Sequence, residues 1–196
     1  NSVIICERPD DPDFGPYQAY RAGLEKRIHL LGPLRRKLVE VPFNLDHSYW
    51  INDEDFDLDF HVCHIALPGP GTIEQLAEQT ARIIARPCDR SRPLREVYII
   101  EGLDQGDFAI LTKVHHATVD GALGVEMLMM MLDTDPYGDL IVDDDGSWRS
   151  ESRPSDLEIL GRTAVNFVQK PGRAARAQLR AMQYMAEVSR NRGVSA

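Results

Sequence analysis

The chain has 196 residues, 43% apolar and 27% charged, with a formal net charge of −9. That apolar fraction suits a folded core and excludes wholesale disorder, no apolar run approaches the ~20 residues of a membrane span, and the acidic balance argues against general nucleic-acid binding. Three cysteines, Cys6, Cys63 and Cys88, are far apart and form no CxxC pair, which suits buried thiols in a reducing cytosol rather than a disulfide frame or a zinc site.

Asn1 opens the chain with neither an initiator methionine nor a signal-peptide pattern, so an upstream start is expected. Val3–Cys6 reads as a short strand, and Pro9-Asp10-Asp11-Pro12 and Gly15-Pro16 as turns. Tyr20, Leu24, Ile28 and Leu31 predict a helix over Tyr17–Leu31. Leu38–Val41 and Ser48–Ile51 are predicted extended. Leu58, Phe60 and Val62 alternate with Asp57, Asp59 and His61, which predicts a half-buried strand over Asp57–Leu67. Pro68-Gly69-Pro70-Gly71 ends it. Thr72 is placed to cap the next helix, because Gln75 lies three residues on, and Ile73, Leu76, Ala77, Thr80, Ile83 and Ile84 give that helix an apolar face.

Val97–Ile100 and Phe108–Val114 read as a hairpin joined through Gly102–Gly106, and Ala122–Leu132 as a strongly apolar helix. Asp143-Asp144-Asp145-Gly146-Ser147 reads as a linker, and a domain boundary is expected near residue 150. Two helices follow, broken at Pro171-Gly172. The first would turn Leu157, Leu160, Ala164, Phe167 and Val168 to one side, the second Ala175, Leu179, Met182 and Met185. From Ser155 on, seven cations face three acids, a local charge of +4 that leaves −13 on residues 1–154. Such asymmetry points to a tail that touches something acidic: a partner domain, a membrane surface or an anionic substrate. The mixed order of strands and helices gives an α+β or mixed-sheet α/β class.

The chemistry-bearing stretch is His115-His116-Ala117-Thr118-Val119-Asp120-Gly121, where a strand gives way to a helix. On that strand Phe108, Ile110, Thr112 and Val114 share one face, and Ala109, Leu111, Lys113 and His115 the other. A neutral imidazole at its end can take a proton from a hydroxyl, and a glycine close by admits backbone or substrate. Asp120 can cap the following helix, hold the loop or orient a ring. A metal site is disfavoured, since adjacent strand histidines face opposite ways and no third ligand is spaced nearby. His61 and His64 read as two partly solvated strand histidines, and Asp53–Asp59 as a solvated turn without the calcium-loop pattern.

His115–Gly121 matches the HHxxxDG pattern shared by coenzyme-A-dependent acyltransferases and peptide-synthetase condensation domains. Its context separates the two. Trp50–Val62, Leu67-Pro68-Gly69-Pro70-Gly71, Asp89-Arg90-Ser91-Arg92-Pro93-Leu94-Arg95-Glu96 and Ile100-Glu101-Gly102-Leu103 follow in order and spacing. From about Val3 to Leu132 the chain resembles the bacterial wax ester synthase/diacylglycerol acyltransferase family. Arg95 stands where that family often carries tryptophan.

The resemblance implies an α+β fold: a mixed β-sheet with flanking helices, one chloramphenicol-acetyltransferase-like half, then a C-terminal helical connector. On this reading residues 1–150 are the acyltransferase half and 151–196 the connector to a second half, whose Asn-Asp-Val-Val-type motif is not found here. By resemblance His116 is the general base, with His115 beside it in the motif. Asp120 is structural, paired with an arginine such as Arg90 or Arg92, and Gly121 keeps the substrate tunnel open. No cofactor and no metal are implied, because acyl-CoA is a substrate and diacylglycerol or a fatty alcohol its acceptor. Expected partners are the second half and a membrane or lipid-droplet surface, in the cytoplasm. Two rivals stay open: a condensation or polyketide-type acyltransferase fed by a carrier-protein thioester, and a non-catalytic interaction half that kept the motif. The fragment alone is expected to be inactive.

Overall fold

The computed structural model describes residues 1–118, 124 and 148–169. Its elements in chain order are β1 (Ser2–Cys6), α1 (Pro16–Arg27), β2 (Arg36–Val39), β3 (Tyr49–Asn52), α2 (Leu58–His61), β4 (Val62–Ala66), α3 (Ile73–Ala85), β5 (Arg95–Glu101), β6 (Phe108–Val114) and α4 (Asp156–Gln169). Four strands form a mixed sheet in the order β1-β6-β5-β4, and β2 and β3 pair as a separate ribbon. β5 lies antiparallel to β6, β6 antiparallel to β1, and β4 parallel to β5. The fold is α+β, as expected.

Period-two alternation divides the sheet's side chains between two cores. Phe108 and Ile110 of β6 join Val97 and Ile99 of β5 under Leu24, Leu31 and Leu34, from α1 and the turns after it. Ala109 and Leu111 join Tyr98 and Ile100 under Leu76 and Ile83 of α3. On the α3 face Lys113 is buried, with its ammonium 3.1 and 3.2 Å from the two Glu96 carboxylate oxygens, while the Tyr98 hydroxyl donates to Glu96 at 2.6 Å. A lysine that alternation alone puts inside is tolerated because its charge is paired there.

The start of α3 follows its local sequence. The Gln75 N–H donates to the Thr72 hydroxyl at 3.3 Å, and the Thr72 N–H to the Gln75 side-chain oxygen at 2.8 Å, closing the capping box. The turn before it meets the turn after β5. Gly71 has φ +77, and a Cβ there would fall 2.0 Å from the Gly102 carbonyl oxygen. Only glycine fits such an approach.

Three sequence expectations are corrected. α1 ends at Arg27, with Ile28–Leu30 as a 3-10 turn, because Gly32-Pro33 lies too close for a regular turn to continue. Asp57–Leu67 is not one strand. Asp57 caps a single helical turn, its carboxylate accepting from the Asp59 N–H at 3.0 Å, and β4 begins only at Val62. On α4 the inward residues are Ile159 and Thr163, whereas Leu157 is 81% exposed. Both sides of that helix carry apolar residues, so periodicity could not choose between them. The helices expected over Ala122–Leu132 and after Pro171-Gly172, and the linker at Asp143–Ser147, lie outside the described residues.

Two compact units are present. One is Asn1–Lys37 with Asn52–Ser150, and holds the sheet with α1 and α3. The other is Leu38–Ile51 with Glu151–Ala196, in which Ile159 packs on Val39, Val41 and Ile51.

Candidate active site

The histidine pair sits where β6 runs out. Val114 pairs with Arg95 of β5, and the His115 N–H donates to the Leu94 carbonyl at 2.9 Å, adding one rung to the ladder. The chain then turns, with the Thr118 N–H donating to the His115 carbonyl at 2.9 Å. The Ala117 N–H donates to His115 Nδ1 at 3.2 Å. Nδ1 must therefore be the bare nitrogen, and the neutral ring carries its proton on Nε2. Both rings are exposed. His115 is thus engaged by its own turn, whereas His116 makes no hydrogen bond among the described residues.

Asp120 and Gly121 lie outside the described residues. Arg90 is exposed, and Arg92 lies over the Phe60 ring, 4.2 Å from its centroid. Among the described residues no group of three His, Cys, Asp or Glu side chains is placed to hold a metal. The thiols of Cys6, Cys63 and Cys88 are half-buried and unpaired, and burial pushes each above the ordinary thiol range, the opposite of an activated nucleophile.

A polar cluster next to the turn escaped the sequence reading. His61 is wholly buried on α2, not a partly solvated strand residue, and its Nδ1–H donates to the Arg95 carbonyl at 2.7 Å. Burial holds its pKa down to about 4, so it is neutral. Its ring stacks on Phe56, at 5.3 Å between centroids, and meets Phe60 edge-on. Arg95 is 1% exposed, and its Nε–H donates to the Leu34 carbonyl at 3.0 Å. The one available signal was alternation: Arg95 shares parity with Val97 and Ile99, so it faces the α1 core. His64, by contrast, is 44% exposed and lies 2.7 Å from Glu101.

A mixed sheet with helices on both faces and a histidine pair leaving its strand end make this an α+β fold. The family model "Wax ester synthase/diacylglycerol acyltransferase catalytic domain" matches residues 1–195. The chain belongs to the wax ester synthase/diacylglycerol acyltransferase family. A probable diacylglycerol O-acyltransferase of Mycobacterium tuberculosis H37Rv is 36% identical over 166 residues, 85% of this chain and 59% of that protein. A second probable diacylglycerol O-acyltransferase of M. tuberculosis is 42% identical over 132 residues, 67% of this chain and 27% of that one. The solved wax ester synthase/diacylglycerol acyltransferase of Marinobacter aquaeolei VT8 superposes with a TM-score of 0.57 at 29% identity, covering 72% of this chain and 35% of that one. The chain therefore spans between about a quarter and three fifths of the length of these relatives.

Proposed function

We propose that this chain is the N-terminal half, with its connector, of an O-acyltransferase that moves a long-chain acyl group from acyl-CoA to diacylglycerol or a fatty alcohol. Residues 1–150 form the acyltransferase half and 151–196 lead to the second half. Family membership supports the reaction class. The observation that supports the assignment of roles is the turn itself: His115 Nδ1 is occupied by the Ala117 N–H, while the His116 ring is exposed and has no hydrogen bond among the described residues.

On this reading a neutral ring nitrogen of His116 takes the acceptor's hydroxyl proton as the oxygen attacks the thioester carbonyl. The C–O bond forms, the tetrahedral oxyanion collapses, the C–S bond breaks, and the imidazolium returns its proton to the departing thiolate. No covalent acyl-enzyme is called on, consistent with thiols whose acidity burial lowers. A donor to the oxyanion, worth roughly 3–4 kcal/mol, is assigned to the second half. Acyl-CoA enters as substrate, so no cofactor takes part. Asp120 acts through structure, and Gly121 leaves room for substrate.

The test is His116→Ala in the full-length enzyme, assayed for coenzyme A release with diacylglycerol and with hexadecanol. Loss of a general base lowers turnover ~10²–10⁴-fold while circular dichroism stays native. Near-normal turnover would overturn the assignment. Transfer only from a carrier-protein thioester would favour the condensation-type reading.

A further inference from the structure

We infer that the buried ion pair of Lys113 and Glu96, joined by the Tyr98 hydroxyl, is a positioning device for the histidine turn: it clamps the last rungs of the β5–β6 ladder and so fixes how His115 and His116 leave the sheet. Its effect on turnover rests on the proposed acyl transfer, whereas the clamp itself does not.

Apolar packing runs out before the site is reached. The two hydrophobic cores take residues 97–100 of β5 and 108–111 of β6. Beyond them the register pairs Glu96 with Lys113 and Arg95 with Val114, and the His115 N–H then donates to the Leu94 carbonyl. Among the described residues neither core includes any member of those two pairs. The glycine turn that joins the strands lies at the opposite end of the hairpin and sets the register there. Strand ends open locally unless something holds them. The histidine turn thus follows the stretch of ladder that the cores and the hairpin turn secure least.

Polar groups hold that stretch instead. Lys113 is 5% exposed, and its ammonium reaches both Glu96 carboxylate oxygens, at 3.1 and 3.2 Å, from the opposite strand. The Tyr98 hydroxyl donates to the same carboxylate at 2.6 Å, so Glu96 is gripped from its own strand as well. From α2 the His61 Nδ1–H donates to the Arg95 carbonyl at 2.7 Å, in the next rung. A buried ion pair adds little net stability, because desolvation offsets its attraction. What it adds is geometry. A splayed or shifted strand would strand a charge in the interior, whereas apolar side chains slide past one another at small cost. Geometry matters at this place because neighbouring strand residues face opposite ways. A twist or slip of one residue at the end of β6 would exchange the directions of His115 and His116. Lys113, two residues before His115 on the same face, is where such a slip is stopped.

The test uses Lys113→Met, Lys113→Arg and, as a control away from the turn, Thr72→Ala. In the 196-residue chain, amide hydrogen exchange is followed by NMR well below the melting temperature of each variant. Lys113→Met is expected to speed exchange of the His115 N–H about tenfold or more. The Leu67 N–H, which donates to the Glu101 carbonyl at 2.8 Å at the other end of β5, should keep its wild-type rate. In the full-length enzyme Lys113→Met should lower kcat roughly 10–100-fold with little change in KM, as displacement of a reacting group does. Lys113→Arg, which keeps the charge, should recover most of both losses, and Thr72→Ala should lower the melting temperature while leaving kcat alone. If Lys113→Met does not fold, Glu96→Gln, which keeps the shape and one acceptor, breaks the same pair and is read in the same way. Unchanged His115 exchange would overturn the clamp whatever the turnover. Equal falls of kcat in Lys113→Met and Thr72→Ala would also overturn it, by reducing Lys113 to a general stabiliser. Faster His115 exchange with normal turnover would leave the clamp standing and count against the histidine turn as the seat of the reaction.

Discussion

At the residue scale the two histidines differ, among the described residues, by one side-chain hydrogen bond. His115 Nδ1 accepts the Ala117 N–H, so its ring braces the turn that presents His116. Replacing it removes a neutral hydrogen bond at an exposed site, worth about 1 kcal/mol. His115→Ala in the full-length enzyme is therefore expected to reduce turnover much less than His116→Ala, and His115→Asn, which keeps an acceptor, to recover part of the loss. Equal losses in steady-state assays of the two alanine variants would refute the division of labour. His61 carries a pH signature. Its ordinary pKa of 6.5 falls to about 4 in the folded chain. The unfolded chain thus binds the proton first as pH drops, and stability declines from about pH 6.5 toward 4, levelling off below. At ~1.4 kcal/mol per unit the loss is at most about 3 kcal/mol. Urea melts across this range should show the decline in wild type and a flatter limb in His61→Asn; identical limbs would exclude His61 as its source.

At the scale of elements, the short segment that connects β4 to α3 carries unusual weight. Two local devices meet there: the Thr72–Gln75 capping box and the approach of Gly71 to Gly102. Thr72→Ala removes one cap and should cost about 1 kcal/mol. Gly71→Ala should cost more, roughly 2–4 kcal/mol, because it adds a backbone clash at 2.0 Å to the strain of φ +77. Chemical denaturation of the two variants ranks them, and a Gly71→Ala protein as stable as Thr72→Ala would contradict this packing. Since the turn closes against the end of β5, while β5 begins beside the His115 rung, the same strand links the structural device to the site.

At the scale of the whole molecule, a fatty acyl-CoA needs an enclosed site. Thioester and hydroxyl must be held within ~3–3.5 Å, and water kept out, or the same base would hydrolyse the thioester. Both histidines are exposed here, and the chain spans 59% or less of the relatives compared. Purified residues 1–196 are expected to show weak thioester hydrolysis at most and no transfer to diacylglycerol or hexadecanol; full transfer by this chain, with no partner detectable by mass spectrometry, would refute the half-enzyme reading. Leu157 is 81% exposed and Val165 55%, on the side of α4 opposite Ile159, and the tail carries a charge of +4. Among the described residues no helix is long and apolar enough to cross a membrane.

What the chain declared by itself was local or periodic. The capping box, the β5–β6 hairpin with its glycine turn and the alternation of β6 each depend on residues a few positions apart, and each formed as read. The HHxxxDG stretch, with the Pro-Gly-Pro-Gly and Ser-Arg-Pro-Leu blocks around it, was enough to reach the family. Contacts between distant residues were not legible. Asp57 started a helical turn inside an alternating run, because one side-chain cap outweighed the pattern there. α4 buried Ile159 rather than Leu157, because the choice between two apolar faces belongs to Val39, Val41 and Ile51, more than a hundred residues earlier. His61 and Arg95, separated by 34 positions, meet only because β4 and β5 run parallel in one sheet. That meeting takes a histidine and an arginine, which sequence habit places in water, and buries both, since burial is decided by what the finished fold lays over a residue and not by the residue's own affinity for solvent.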